Sequence, residues 1–398
     1  VFPEVRPAEP SDPPLRFSMT NCWNKLTDKF LPISFPDFPQ AELAQDFRPS
    51  LPFFPLHFMA NRSSNPLLPL ALGLGALLLT RTLIRKNRSF DLRGKVVIIT
   101  GGSRGLGLVL ARQLAREGAK LAICSRTEPQ LRRAEAELRA TGAEVFAQPC
   151  DVSSSTDVKA FVEEVIDHFG RIDVLINNAA IIQVGPFGNM ELSDYQQAMN
   201  TNFFGALHTV LAVVPVMQAQ GGGRIVNISS VGGKIASPHL LPYCASKYAL
   251  GGFSKGLRAE VARDNIIVTT VFPGLVRTGS SRNAVIKGQY SREYLLFKTA
   301  DATPLVTASA EDAAAQTIEA LKAGRAELVI TFSAKMLAMV NELFPELTTD
   351  TLGLINRLLP KPVEGPNPRR KGYQSETAAS HRGIAARSDE AARRNNEF

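Results

Sequence analysis

Cysteine is scarce in this chain. Cys22, Cys124, Cys150 and Cys244 are the only four among 398 residues, with no CxxC spacing and no Cys/His cluster. That excludes a structural zinc module and suits a reducing compartment without disulfides, with Cys124 read as a small buried hydrophobe in an apolar strand pattern. No segment repeats itself, which excludes a solenoid or propeller. Charged residues are 21% of the chain and hydrophobic ones 44%, a balance that excludes wholesale disorder. The formal net charge of +8 leaves nucleic acid, an anionic membrane surface or an anionic cofactor to consider. Because the basic residues cluster outside the segment read below as the core, the excess is assigned to tails and linkers, and no nucleic-acid partner is expected.

Residues 1–65 are rich in Pro and Phe and show no sustained period; such composition disfavours helix and central strand alike, so an irregular segment is expected. Met59-Ala60-Asn61-Arg62 reads as a second candidate translation start. An apolar run follows over 67–84, broken only by Arg81 and succeeded by Arg85, Lys86 and Arg88. At about 1.5 Å per residue it reaches roughly 27 Å as a helix, near the lower limit for a bilayer span. Arg81 can snorkel to the headgroups. No Ala-x-Ala cleavage site follows the run, which argues against a signal peptide. Residues 66–90 are therefore read as a membrane anchor and basic linker, and the positive flank places the rest of the chain on the cytoplasmic side; a soluble cytoplasmic protein is the alternative. At the other end, 333–360 carries apolar residues at helical spacing, split by Pro345, and reads as two amphipathic helices that pack over a cleft or lie on a membrane. Residues 361–398 hold few large apolar side chains and are expected to be disordered.

Between these ends, 91–332 alternates short apolar strands with helical patterns. The strand at 95–100 (Lys-Val-Val-Ile-Ile-Thr) is a β-branched run suited to burial on both faces, and Leu108, Leu110, Ala111, Leu114 and Ala115 follow at helical spacing. Further strands read at 120–125, 144–148, 172–177, 224–229 and 267–272. This alternation predicts an α/β fold: a doubly wound parallel sheet with helices on both faces.

Thr100-Gly101-Gly102-Ser103-Arg104-Gly105-Leu106-Gly107 lies where the first strand meets the first helix. Glycines there allow a tight turn and close approach of backbone N–H groups to a phosphate, and the helix N-terminus adds partial positive charge. Tyr243-Cys244-Ala245-Ser246-Lys247 puts a phenol and an ammonium on one helix face. A nearby cation favours phenolate, so Lys247, together with the positive charge of a bound nicotinamide, is expected to lower the pKa of Tyr243 and let it act as general acid or base.

The Thr-Gly-x-x-x-Gly-x-Gly spacing together with Tyr-x-x-x-Lys resembles the short-chain dehydrogenase/reductase family over 92–332, and through it the Rossmann fold. The resemblance implies roles for further residues. Asp151-Val152 looks like the family's adenine-contacting pair. Asn177-Asn178-Ala179-Ala180 matches its Asn-Asn-Ala-Gly segment except at the last residue, and Pro273-Gly274 followed by Val276 and Thr278 resembles the segment that holds the carboxamide. Ser230, thirteen positions before Tyr243, matches the serine that binds the substrate oxygen, with Ser229 as the competing assignment; Asn202 matches the asparagine of the proton relay, with Asn200 as its neighbour. Catalysis is thus expected from Asn202, Ser230, Tyr243 and Lys247, with Lys247 also holding the nicotinamide ribose.

An NAD enzyme needs an acid after the second strand. Ser125-Arg126 stands there instead. With Arg104 in the glycine turn, Arg126 offers positive charge to a 2′-phosphate, so NADP(H) is the expected cofactor and carbonyl–alcohol interconversion the expected reaction. No metal is expected. Substrate contacts are sought in 181–187, 232–241 and 279–304; in the last, Arg282, Lys287, Arg292 and Lys298 stand beside Tyr290, Tyr294, Leu295, Leu296 and Phe297, which reads as a lid with an apolar face for a lipid-like ketone or as plain solvated surface. Two rival classes are a non-catalytic NADP-sensing module, which has little use for a Ser–Tyr–Lys set, and a nucleotide-sugar epimerase, whose Gly-x-x-Gly-x-x-Gly turn is not matched here. A homo-oligomer is compatible with all three.

Overall fold

The structure, a computed structural model, describes residues 90–304 and 307–398; the irregular segment read over 1–65 and the anchor read over 66–84 lie outside the described residues.

Seven strands form one parallel sheet: β1 (Val96–Thr100), β2 (Lys120–Ser125), β3 (Val145–Pro149), β4 (Val174–Asn177), β5 (Gly223–Ile228), β6 (Ile266–Pro273) and β7 (Glu327–Ile330). Their spatial order is β7-β6-β5-β4-β1-β2-β3, every pairing parallel. The β-branched sequence of β1 shows why. All five of its residues are buried, Val97 and Ile99 in the core on one face and Val96 and Ile98 in the core on the other, as period-two alternation under two helical layers requires. Helices α1 (Gly105–Arg116), α2 (Glu128–Ala140) and α8 (Ala310–Lys322) cover the first face. The second is covered by α3 (Ser155–Phe169), α5 (Gly205–Ala219) and α6 (Leu241–Glu260). The doubly wound Rossmann sheet expected from the alternation is the fold that forms. The chain builds outward from β1 through β2 to β3, then returns to β4 on the other side of β1. That reversal opens a crevice beyond the ends of β1 and β4, where such sheets bind ligands.

A shorter helix, α4 (Leu192–Met199), runs through one π-turn at Asn200–Phe204 into α5. Among the described residues, this joined run over Leu192–Ala219 is the one helix long and apolar enough to cross a membrane. Its Val210, Val213 and Met217 are core residues against the sheet, so its hydropathy has a packing cause.

Two expectations for the later part of the chain need correction. The segment 361–398, expected to be disordered, is folded: Arg370–Lys371 pairs antiparallel with Val285–Ile286, three short 3₁₀ turns follow, and α11 spans Ala386–Arg394. Composition misled because ion pairs, rather than large apolar side chains, hold it. Arg369 meets Asp194 at 2.6 Å, Glu376 meets Arg282 at 2.6 Å and Asp389 meets Lys298 at 2.6 Å, while the small residues Ala385, Ala391 and Ala392 are buried beneath. The same contacts correct the reading of 279–304. Lys287 and Lys298 are neither solvated nor part of a free lid: Lys287 is buried against Glu191 and Asp194, each at 3.0 Å, and Tyr294 of α7 (Tyr290–Ala302) packs inward with Val184, Ala284 and Ile286. Ser280, Asn283, Ala284, Phe297 and Asp301 of this segment line the crevice, and its other cover is the hairpin of α9 (Phe332–Leu343) and α10 (Pro345–Asn356), broken at Pro345 as its sequence predicts.

Candidate active site

The crevice is a cavity of about 760 Å³, within the range of small-molecule sites. Its two ends are built differently.

One end is the glycine turn after β1. Gly101 has φ +65°, and a Cβ on Gly107 would lie 2.2 Å from the Gly101 carbonyl oxygen, so the turn closes only with glycine at that position. Asn178 braces it from the end of β4: its Nδ2 donates to the carbonyls of Thr100 at 3.0 Å and Gly101 at 3.2 Å. Thr100 Oγ1 in turn accepts the N–H groups of Asn178 and Ala179, at 3.0 and 3.1 Å. Ser103, Arg104, Gly105 and Leu106 open into the cavity at the start of α1. Ser125 and Arg126 line it from the end of β2, and the buried Ser125 Oγ has no hydrogen-bond partner. A glycine cradle, two arginines and an orphaned hydroxyl fit the phosphates and ribose of a dinucleotide.

Of the residues expected to bind cofactor, Gly101, Ser103, Arg104, Gly105, Leu106, Ser125, Arg126, Val152, Asn178, Ala179, Ala180, Tyr243, Lys247, Pro273, Gly274, Val276 and Thr278 all line this cavity. Gly107 lies behind the turn. Asp151 stands aside: its Oδ1 accepts from Ser153 N at 3.0 Å and Ser153 Oγ at 2.8 Å, and its Oδ2 lies 3.7 Å from Arg126 Nη1.

The other end is set by α6. Its helical spacing places Lys247 beside Tyr243, with Nζ 5.7 Å from the ring centroid. Lys247 is 2% exposed and donates to the Ile228 carbonyl at 2.9 Å. The two candidate serines separate clearly. Ser229 Oγ donates to the backbone of α6 at Lys247 O, 2.8 Å away. Ser230 Oγ accepts from Gly232 N at 3.0 Å, and it and Tyr243 Cε1 both lie 3.4 Å from the point where a Gly232 Cβ would stand. Asn202 sits in the π-turn, and its amide is fully engaged: Oδ1 accepts from Ile181 N at 2.8 Å, and Nδ2 donates to Ile181 O at 3.0 Å and to Ser246 Oγ at 2.8 Å.

Burial dominates the protonation of this end. It pushes the Tyr243 phenol up to about 12, against a partial lowering by the Ser230 hydroxyl, and pushes the Lys247 ammonium down to about 7. In the protein alone, desolvation thus favours the neutral form of both groups; the lowering expected at Tyr243 involves the positive charge of the nicotinamide as well as Lys247.

Lys371 and Asp301 carried no sequence signal as individual site residues. Lys371, in the segment expected to be disordered, reaches the cavity. Burial, then the positive charges of Arg104 and Arg126, lower its pKa, so three cations share the glycine-turn end. Asp301 of α7 is buried with Oδ2 unpartnered, and burial pushes it up to about 7. Leu337, Val340, Leu347, Leu352 and Ile355 of α9 and α10 supply an apolar wall. Behind the site, a buried polar line runs from Thr209 through Asn177, Asn227 and Ser254 to Thr270, tying α5 and α6 to β4, β5 and β6. Each strand asparagine could have flagged it, since a buried amide needs a partner.

The family model described as short chain dehydrogenase matches residues 95–287. A putative ketoacyl reductase of Streptomyces coelicolor is 39% identical over 201 residues, covering 50% of this chain and 76% of the relative. Dehydrogenase/reductase SDR family member 7B of Danio rerio is 38% identical over 224 residues, covering 54% and 72%. Among solved structures, a short chain dehydrogenase/reductase from Burkholderia phymatum in complex with NAD is 26% identical with a TM-score of 0.60, covering 70% of this chain and 99% of that one. With the sheet order, the glycine turn and the Ser230–Tyr243–Lys247 cluster in one cavity, these similarities settle the family: the chain belongs to the short-chain dehydrogenases.

Proposed function

We propose that this chain is an NADP(H)-dependent oxidoreductase that interconverts a ketone or aldehyde with an alcohol, on an apolar, lipid-like substrate. The observation that carries the reading is that one cavity joins a phosphate-suited turn to the Ser230–Tyr243 pair under an apolar cover. When bound, the nicotinamide supplies or accepts the hydride and, in its oxidised form, a positive charge that favours phenolate. The protein's own groups do the rest. Ser230 and Tyr243 hold the substrate oxygen, and Tyr243 gives it a proton. Burial keeps the phenol protonated in the protein alone, the form that acts as acid in reduction; in the reverse direction the same group accepts the proton. Lys247, down to about 7, can change protonation state near neutrality and resupply Tyr243. Asn202 acts as a positioning residue through its grip on Ile181 and Ser246.

The choice of NADP(H) rests on Arg104, Arg126 and Lys371 around the orphaned Ser125 hydroxyl, with no acid at the end of β2. The apolar wall of α9 and α10 suits an acyl or polyisoprenoid chain, and a relative bears the name ketoacyl reductase. The apolar run over 67–84 and the basic residues after it support a membrane anchor with this domain on the cytoplasmic side, testable by alkaline extraction of membranes. The function is tested by following nicotinamide absorbance with a panel of long-chain ketones and β-ketoacyl thioesters, using NADPH and NADH in parallel. Oxidation of NADPH in preference to NADH is the expected result; no oxidation of either with any ketone would overturn the reading.

A further inference from the structure

Residues 395–398 lie across the glycine turn. The Asn395 carbonyl accepts the Gly105 N–H at 2.9 Å, taking a donor at the start of α1. Asn396 Nδ2 donates to the carbonyls of Ser103 at 2.8 Å and Gln130 at 2.9 Å. The Phe398 carbonyl accepts from Arg133 Nη2 at 2.7 Å and Gln130 Nε2 at 3.2 Å, and the Phe398 ring sits 4.0 Å from the Arg282 guanidinium. Between these anchors Glu397 turns inward. Its side chain is 3% exposed, Oε2 accepts from Asn283 Nδ2 at 2.7 Å and lies 3.6 Å from Arg104 Nε, and Oε1 stands 2.7 Å from where a Cβ on Gly105 would be.

A buried carboxylate over a glycine at a helix N-terminus, beside an arginine, stands where such a turn receives a phosphate. We propose that residues 395–398 are a built-in competitor of the dinucleotide, with the Glu397 carboxylate standing in for a phosphate over the glycine turn. The proposal rests on the reading that this cleft takes a nicotinamide dinucleotide. Two anions cannot share the seat without strong repulsion, so the dinucleotide enters only when Glu397 withdraws. The apparent affinity for dinucleotide is then the intrinsic one multiplied by the fraction of molecules with the segment withdrawn.

The test is calorimetric titration of NADPH into the full chain, a variant lacking residues 395–398 and the variant Glu397→Gln, which keeps the segment's length and shape. The shortened variant is expected to bind about tenfold more tightly and Glu397→Gln about threefold. A hexapeptide with the sequence of residues 393–398, added to the shortened variant, should weaken NADPH binding competitively. Unchanged affinity in both variants overturns the proposal while leaving the dinucleotide reading intact. Weaker binding in the shortened variant also overturns it, since the segment would then be a strap that helps hold the cofactor. Failure of every form to bind NADPH or NADH overturns both.

Discussion

The two ends of the cleft solve opposite electrostatic problems. At the catalytic end, Tyr243 and Lys247 come from one helix, four residues apart, and burial drives both toward neutral forms. At the glycine-turn end, Arg104, Arg126, Lys371, Glu397 and Asp301 come from five separated stretches of chain and crowd charge into the same cavity. The first end is a local device, set as soon as α6 forms and docks. The second exists only when residues hundreds of positions apart have found each other. Chemistry on a bound carbonyl needs one proton donor in one state; capturing a polyanion needs many charges converging from several directions.

The sharpest way to break this contrast is at the catalytic end. Tyr243→Phe keeps the ring and its packing and removes only the hydroxyl, so turnover is expected to fall about 10³-fold while the calorimetric affinity for NADPH stays close to that of the parent. Loss of binding along with turnover would mean that the two ends are not separable. The next largest effect is expected far from the chemistry. Burial alone would raise the Asp389 carboxyl, but hydrogen bonds from Lys298 and His381 outweigh it and hold it below its usual range. Asp389→Ala strands the Lys298 ammonium, 1% exposed, at a cost on the order of 3 kcal/mol, measurable by denaturant unfolding. A loss below about 0.5 kcal/mol, the scale of a solvated pair, would mean that segment 361–398 contributes little to the folded state.

How much of each region was legible in the sequence follows the same division. The sheet, the glycine turn and Ser230–Tyr243–Lys247 could be read because their signals are local: β-branched runs at strand spacing, glycines at fixed offsets, two groups on one helix face. The placement of Lys371 and Glu397 could not, because nothing near them in the chain announces a site, and within 279–304, where contacts were sought, nothing singled out Asp301. The segment 361–398 was misread for a related reason. Disorder is inferred from too little apolar surface to offset chain entropy, and here the deficit is met by pairs such as Arg369–Asp194 and Lys298–Asp389, whose partners lie 175 and 91 residues away. At Tyr243 the neighbouring lysine was visible in the sequence, while the burial that raises the phenol in the protein alone was not.

Asp301 sharpens the comparison through pH. Burial, reinforced by Glu397 and opposed by Arg277, pushes its carboxyl up to about 7. A folded pKa above the unfolded one means that the native state binds the proton more tightly. The stability associated with it is fully present below the unfolded pKa of about 4 and is lost as pH rises toward 7. Asp301→Asn should remove that loss, raising stability at pH near 8 and leaving it little changed at pH near 4. Thermal melts of both proteins across this window give the answer; parallel curves would show that Asp301 is not held protonated by its surroundings.

The smallest expected effect bears on the anion end itself. Arg126 keeps half its side chain in solvent and lies 3.7 Å from Asp151, so its contribution to a 2′-phosphate is screened and shared with Arg104 and Lys371. Arg126→Gln should therefore weaken NADPH binding only about tenfold, equivalent to about 1.4 kcal/mol, and leave NADH binding nearly unchanged, because NADH lacks the phosphate that the guanidinium would meet. An equal loss for both dinucleotides would place Arg126 on the shared pyrophosphate instead. No loss for either would leave Arg104 and Lys371 as the cations that discriminate, and would make the glycine-turn end more distributed still than the arrangement of its charges suggests.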